Sequence, residues 1–345
     1  IDFLFSVIWF MYEVLLITPV ERSNIKKMVD HIVRYCIAMG TALMIGAFLF
    51  LPAALAMSDG KGNVEWIPIL GIYGWGNIFS FIQRFELGSR SEYGSVSLYC
   101  GSLAVIGCIA YMLCKKIDRN KKILHSILIV FVLSLFYIPV FVWGFSLLKV
   151  VGSYWYRYSY IGIITLIVIA AEFFSVKDQE TNTRALMWKA TAVAVLVLFF
   201  MEYVKPLGKP FNVYMTVLAF IATMLFTDIL FWTKRVSVKR IVIFLMAVTV
   251  STELVYNAKL IMTLDGGVEH FTQYAEDEMK LIGQLQQQDG GFYRINQTST
   301  RDVDGNKLTA NYNEGIAYNY KSISGYTSDP DRNQLLFMKQ MGYAI

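Results

Sequence analysis

The chain has 345 residues, 56% of them hydrophobic and only 17% charged, which excludes an ordinary soluble globule. Its 24 Phe, 21 Tyr and 7 Trp exclude a disordered chain, because disorder goes with few aromatics. The formal charge of +5 does not indicate nucleic acid as a partner: residues 1–261 hold 24 Lys and Arg against 15 Asp and Glu, whereas residues 262–345 hold 7 against 11, so the excess sits in the hydrophobic part, where membrane orientation accounts for it.

Apolar runs near the 20 residues that a helix needs to cross a bilayer fall at 36–57, 96–114, 123–143, 156–175, 187–206, 211–231 and 241–261, with a further one at 1–18. The expected architecture is mainly α: a transmembrane domain over 1–261 of about eight helices, in a multispanning bundle. Continuous runs favour helices over a barrel, whose strands would alternate. The chain opens on Ile1 within an apolar run, without the positive n-region of a signal peptide, so the expectation is a piece of a larger membrane protein, truncated at both ends.

Alternate loops differ in charge. Arg22, Lys26, Lys27 and Arg34, then Lys115, Lys116, Arg119, Lys121 and Lys122, then Lys177, Arg184 and Lys189, then Lys234, Arg235, Lys239 and Arg240 make sixteen cations; the intervening loops and their edges hold Lys61, Arg84, Arg90, Lys149, Lys205 and Lys209. The positive-inside rule puts the first set in the cytoplasm and the 58–95 loop and the tail outside. Loop 58–95 is too apolar for a hydrated loop and too interrupted by Pro and Gly for a span. It reads as interfacial or re-entrant, with Trp66, Trp75 and Phe81 as either belt anchors or one wall of a lipid groove.

Residues 262–345 change character and form the expected extracytoplasmic α+β region. Segment 268–288 places Phe271, Ala275, Ile282 and Leu285 along one side of an amphipathic helix. GGFYRINQTST predicts a strand and Asp304-Gly305-Asn306 a turn, while Asp329 or Asp331 would cap a short helix ending near Gly342.

Ionisable residues within spans are the functional candidates. Arg157, beside Trp155, Tyr156, Tyr158 and Tyr160, is suited to gripping a phosphate while the aromatics pack on a sugar or isoprenoid; simple snorkelling at an aromatic belt is the other reading. Glu253 is left between pairing with Arg157 or Lys259, bonding the tail, and acting as a base. Glu13 and Glu172 rank lower, and Asp59, Glu65 and Glu86 read as loop carboxylates that either touch a sugar or are simply solvated. No spacing marks a metal pair, and His31, His125 and His270 share no site. Cys36, Cys100, Cys108 and Cys114 read as buried small hydrophobes. The Asn296-Gln297-Thr298 glycosylation triplet carries little weight.

GSYWYRYSYIG, STELVYNAK, GFYRINQTSTR and YNYKSISGYTSDPDRNQLLFMKQMGY, in this order relative to the spans, resemble the bacterial YfhO family over nearly the whole chain. The resemblance implies a GT-C-like membrane glycosyltransferase that takes sugar from a polyprenyl-phosphate donor and delivers it outside the cytoplasmic membrane to teichoic acid or a related envelope polymer. Membrane lipid and that polymer would be the partners. The family pattern puts Arg157 and its neighbours Trp155, Tyr156 and Tyr158 near the donor, and Tyr293, Arg294, Tyr318 and Tyr320 in an outer domain over the cleft; Glu253 joins them as a substrate-binding candidate because it shares their outward half of the membrane. It also places the catalytic Asp in a first outer loop, expected upstream of Ile1, so the catalytic residue is unknown and the chain alone is not expected to be active. No cofactor is fixed, and a divalent cation is left open. The alternatives are a transporter or flippase for an envelope lipid, with Arg157 and Glu253 as a gating pair, and a non-enzymatic envelope scaffold acting through the tail.

Overall fold

A computed structural model describes residues 2–16, 24–59, 80–92, 94–146, 155–175, 183–204, 210–263, 268–288, 291, 294–295, 301–303, 306–308, 314–321 and 332–342. In chain order the elements are α1 (Asp2–Leu16), α2 (Ile25–Asp59), α3 (Ser80–Gln83), α4 (Ser102–Leu113), α5 (Arg119–Tyr137), α6 (Pro139–Phe145), α7 (Tyr160–Ser175), α8 (Thr183–Val204), α9 (Pro210–Trp232), α10 (Val236–Thr263), α11 (Val268–Gln288), β1 (Arg301–Val303), β2 (Asn306–Leu308), α12 (Glu314–Ala317) and α13 (Arg332–Gln340). Five helical segments among the described residues are long and apolar enough to span a membrane: Ile25–Leu49, Arg119–Tyr137, Thr183–Val204, Pro210–Trp232 and Val236–Met262. The chain is a mainly α-helical, multi-pass membrane protein.

The remaining apolar runs are helical over shorter stretches than the sequence suggests, and each shortfall has a local cause. Run 96–114 yields only α4, about 18 Å long, because Gly101 before it has φ +90°, a conformation that cannot belong to a right-handed helix. Run 123–143 breaks at Ile138, which is extended, and α6 restarts with Pro139 in its first position. Proline has no N–H for the carbonyl four residues back. That carbonyl, on Leu135, instead accepts from the Tyr158 hydroxyl at 2.9 Å. Run 156–175 starts only at Tyr160 because Tyr156 has φ +57°. Conversely α2 begins 11 residues before its apolar run and absorbs Lys26, Lys27 and Arg34 into a helix. The Asn24 side chain accepts from the amides of Lys26 and Lys27 at 3.1 and 3.4 Å, a standard N-cap.

The described residues divide into two units, 1–40 with 64–262, and 41–63 with 263–345. In the first, α4 packs closely on α7. A Cβ at Gly107 would stand 2.8 Å from the Ala170 Cβ and 3.2 Å from its Cα, so only glycine permits this approach, as expected where helices meet without water to drive them together. Around this contact lie Ile106, Tyr111, Ile169, Phe173, Met187 and Phe220. A second cluster joins Val96 and Leu98 to Val132, Phe136 and Ile161. Buried Thr165, Thr191, Thr216 and Thr227 each donate to the carbonyl four residues earlier at 2.7–3.0 Å, which satisfies their hydroxyls within their own helices.

His125 is the hub of a buried cluster that sequence reading did not anticipate. Its side chain is 2% exposed; Nε2 lies 2.6 Å from the Tyr12 hydroxyl and 3.0 Å from Glu172 Oε2, and Nδ1 lies 2.9 Å from both the Tyr111 hydroxyl and the Lys121 carbonyl. Four helices, α1, α4, α5 and α7, meet there. Cys36 is exposed rather than buried, whereas Cys100 and Cys114 are buried.

In the second unit, α11 covers Val268–Gln288, with Ile282 buried as its amphipathic pattern requires. β1 and β2 pair antiparallel, Val303 opposite Asn306, and the Ile295 amide donates to the Lys321 carbonyl at 2.8 Å. These short pieces do not by themselves make a sheet-based core. The sequence expectations for Trp66, Trp75, Glu65, Tyr293, Asn296, Asp304-Gly305, Asp329 and Asp331 lie outside the described residues, as do those for the side chains of Asp59, His270 and Phe271.

Candidate functional site

A cavity of about 420 Å³ opens in the first unit between the 89–99 segment, the residues leading into α7, and the last turns of α10. Its walls include Arg90, Ser91, Tyr99, Trp155, Tyr156, Arg157 and Asn257. Two guanidinium groups and, among the described residues that line it, no carboxylate border this cavity.

The 84–97 segment holds its shape through polar contacts. Arg84 works as a fork: Nε donates to Ser95 Oγ at 2.6 Å, Nη2 to Glu92 Oε2 at 2.7 Å and Nη1 to the Arg90 carbonyl. Ser89 Oγ donates to the Arg84 carbonyl at 2.6 Å, and the amides of Glu92 and Ser95 each bond the other's carbonyl at 2.9 Å. Gly88, at φ +78°, donates its amide to Asn257 Oδ1 at 2.7 Å. Arg90 Nη2 donates to the Ile261 carbonyl, in the last turn of α10, where a cation also meets the negative end of the helix dipole.

On the facing wall Tyr156 combines a positive φ with 8% exposure. A bulky residue in the left-handed region costs free energy and persists only where its surroundings enforce it. The fixing contacts are the Gly94 amide, which donates to its hydroxyl at 3.1 Å, and an edge-on packing against Phe136 at 6.0 Å between centroids. This turn carries Arg157 out of the core to an exposed position on the cavity wall.

Glu253 lies behind the cavity, 6% exposed. Among the described residues its hydrogen bonds come from the Tyr99 hydroxyl, from the Ser102 amide at 2.7 Å and from Ser102 Oγ at 2.7 Å. A carboxylate from α10 thus caps the N-terminus of α4, satisfying an otherwise orphaned amide and complementing the helix dipole. Glu253 is a positioning residue for Tyr99.

Of the five residues singled out in the sequence, Trp155, Tyr156 and Arg157 line the cavity, Glu253 supports it through Tyr99, and Tyr158 turns away. The Tyr158 ring is buried, stacks on Phe136 at 5.2 Å, and spends its hydroxyl on Leu135. Sequence reasoning missed Arg90, Ser91, Tyr99 and Asn257. A signal was present in GSRSEYGS at 88–95, where one arginine stands among glycines and hydroxyls in a stretch flanked by apolar residues.

Glu86, on the same segment, is 5% exposed. Burial first and then the negative charge of Glu202 push its carboxyl up to about 7, with Arg84 opposing the rise. Behind the segment a second, apolar cavity of about 300 Å³ is lined by Phe81, Phe85, Ile109, Leu166, Val197 and Leu198 among others. Among the described residues no group of three or more His, Cys, Asp or Glu is arranged to hold a metal ion.

A family model described as bacterial membrane protein YfhO matches residues 1–344. The chain belongs to the YfhO family. No curated protein and no solved structure matches it. In this YfhO-family member the arginine-lined cavity draws its walls from stretches of sequence as much as 150 residues and more apart.

Proposed function

We propose that the chain is the membrane core of a GT-C-like glycosyltransferase that accepts sugar from a polyprenyl-phosphate donor and passes it, on the outer face of the cytoplasmic membrane, to teichoic acid or a related envelope polymer. The observation that carries this reading is the pairing of two cavities on one segment. Residues 89–97 border a cavity with Arg90 and Arg157, while Phe81 and Phe85 border an apolar one. A polyprenyl phosphate has those two parts: a charged head that guanidinium groups bind in a fixed geometry and a chain that needs apolar surface.

Arg157 and Arg90 hold the phosphate, Trp155 and Tyr156 flank the sugar, and the lipid chain follows Phe81 and Phe85. Phosphate is the leaving group, so the donor is already activated, and the acceptor hydroxyl needs only orientation and a base. The excess of cations in the 115–122 loop and the start of α10 supports an outward-facing cavity by the positive-inside rule. The tail from 262, as an α+β region, then lies on the outer side.

The test is transfer by the full-length protein that carries this chain, reconstituted in liposomes with a polyprenyl-phosphate sugar and a teichoic acid acceptor. The reading expects a new glycosidic bond that Arg157→Ala slows by about tenfold or more while the protein stays folded. Lipid movement across the liposome without a new glycosidic bond would replace it with a flippase.

A further inference from the structure

At the opposite end of the first unit lies a cavity of about 350 Å³ that the proposed reaction does not use. Lys115 and Lys116 reach it from the turn after α4, and Lys189 from α8; Leu113, Phe173 and Leu186 form its apolar sides. Lys189 stands six residues inside α8, about 9 Å from its start. A lysine at that depth in a spanning helix normally faces a polar cavity or a partner, because an ammonium in hydrocarbon is costly. Among the described residues lining this cavity there is no carboxylate. The nearby Asp228 is already engaged by Arg184 through two bonds, Nε to Oδ1 at 2.6 Å and Nη2 to Oδ2 at 2.8 Å.

We propose that this cavity is a binding site for an anionic phospholipid of the cytoplasmic leaflet. The shared chemistry is a phosphodiester anion met chiefly by the ammonium groups of Lys115 and Lys189, with Lys116 beside them. The lipid source follows from the walls: cations at the loop end and apolar side chains along the helices fit a charged head with acyl chains beneath it, as basic pockets between membrane helices do. The adjoining face continues the pattern, with Arg119 and Lys122 at the same end and Ile123, Ile127 and Val130 along α5 bordering a shallow groove. The site's place in the inner leaflet rests on the positive-inside reading of the loops. It does not rest on sugar transfer, so loss of transfer leaves it standing.

The protein in nanodiscs or mild detergent is titrated with phosphatidylglycerol, phosphatidylcholine and the deacylated head group glycerophosphoglycerol, with bound species counted by native mass spectrometry. Phosphatidylglycerol is expected to bind about tenfold more tightly than phosphatidylcholine. The combined Lys115→Gln, Lys116→Gln, Lys189→Gln variant loses that preference; the matched Lys→Arg variant keeps it, as does Lys234→Gln with Arg235→Gln. Equal affinity for the two lipids overturns the site. Equally tight binding of the deacylated head group overturns the lipid assignment in favour of a soluble phosphodiester. Should the triple variant fail to fold, Lys189→Gln alone must lower the preference by at least a factor of about three, and an unchanged preference overturns the proposal.

Discussion

The two ends of the helical unit treat buried polarity in opposite ways. Around His125, polar groups from four helices close on one another: Tyr12, Tyr111 and Glu172 all contact the imidazole. Around Glu253 and Arg84, polar groups satisfy the backbone, capping α4 and bracing the 84–97 segment, which leaves Arg157 and part of Arg90 turned to a cavity. One end is built to hold helices together and the other to hold a surface open. The imidazole ties four helices together through its side-chain partners, whereas the braced segment brings Arg90 to the wall of a cavity that Arg157 also lines.

The comparison is broken most severely by removing a hub. Glu253→Ala strands the Tyr99 hydroxyl and the Ser102 amide in a buried place, and unfolding by denaturant should show a loss of about 3–5 kcal/mol together with weaker phosphate binding at the neighbouring cavity. His125→Ala should cost about 2–4 kcal/mol yet leave phosphate affinity per folded molecule unchanged, because its partners lie at the other end. If His125→Ala alters binding as much as Glu253→Ala, the two ends are not independent. Gly107→Ala tests the shared wall between them: the new methyl must displace Ala170, for about 1–3 kcal/mol and a lower melting temperature.

A smaller effect separates Tyr158 from its neighbours in the aromatic run. Tyr158→Phe keeps the stacked ring but removes the donor to Leu135, leaving that carbonyl beside Pro139 unsatisfied, for about 1–2 kcal/mol. It should not change ligand affinity, whereas Tyr156→Ala should. A separate effect is expected from pH. Glu86 has its folded-state carboxyl raised from 4.5 to about 7, so between those values the folded protein binds a proton that the unfolded chain has released. Its contribution to stability is therefore full below about pH 4.5 and falls as pH rises through 7. Melting temperatures of Glu86→Gln should accordingly vary less over pH 5–8 than those of the parent protein.

The sequence made the helices legible where pattern is local. α11 is found at the residues its amphipathic spacing marks, because a polar helix with one apolar side allows little other choice. Helix limits in the apolar runs were not legible, since Gly101 and Tyr156 delay the starts of helices and Ile138 ends one through backbone conformations that hydropathy does not encode. The Trp155-Tyr156-Arg157 stretch stood out because an arginine among aromatics is conspicuous. Arg90 and the His125 cluster did not, because their meaning comes from contacts across 171 residues to Ile261 and 113 residues to Tyr12. Glu253 was conspicuous as a charge in a span, but its cap on α4 exists only once Ser102 is placed beneath it.

On the proposed reading, Arg157 and the cavity around it hold the phosphate of a polyprenyl lipid. The most direct measurement is the affinity of the protein in nanodiscs for a fluorescent polyprenyl phosphate, compared between the parent chain and Arg157→Ala, with the uncharged polyprenol as a control. The account predicts that Kd for the phosphate rises about tenfold or more with the melting temperature unchanged, and that polyprenol binding is unaffected. An equal Kd for both proteins would contradict it.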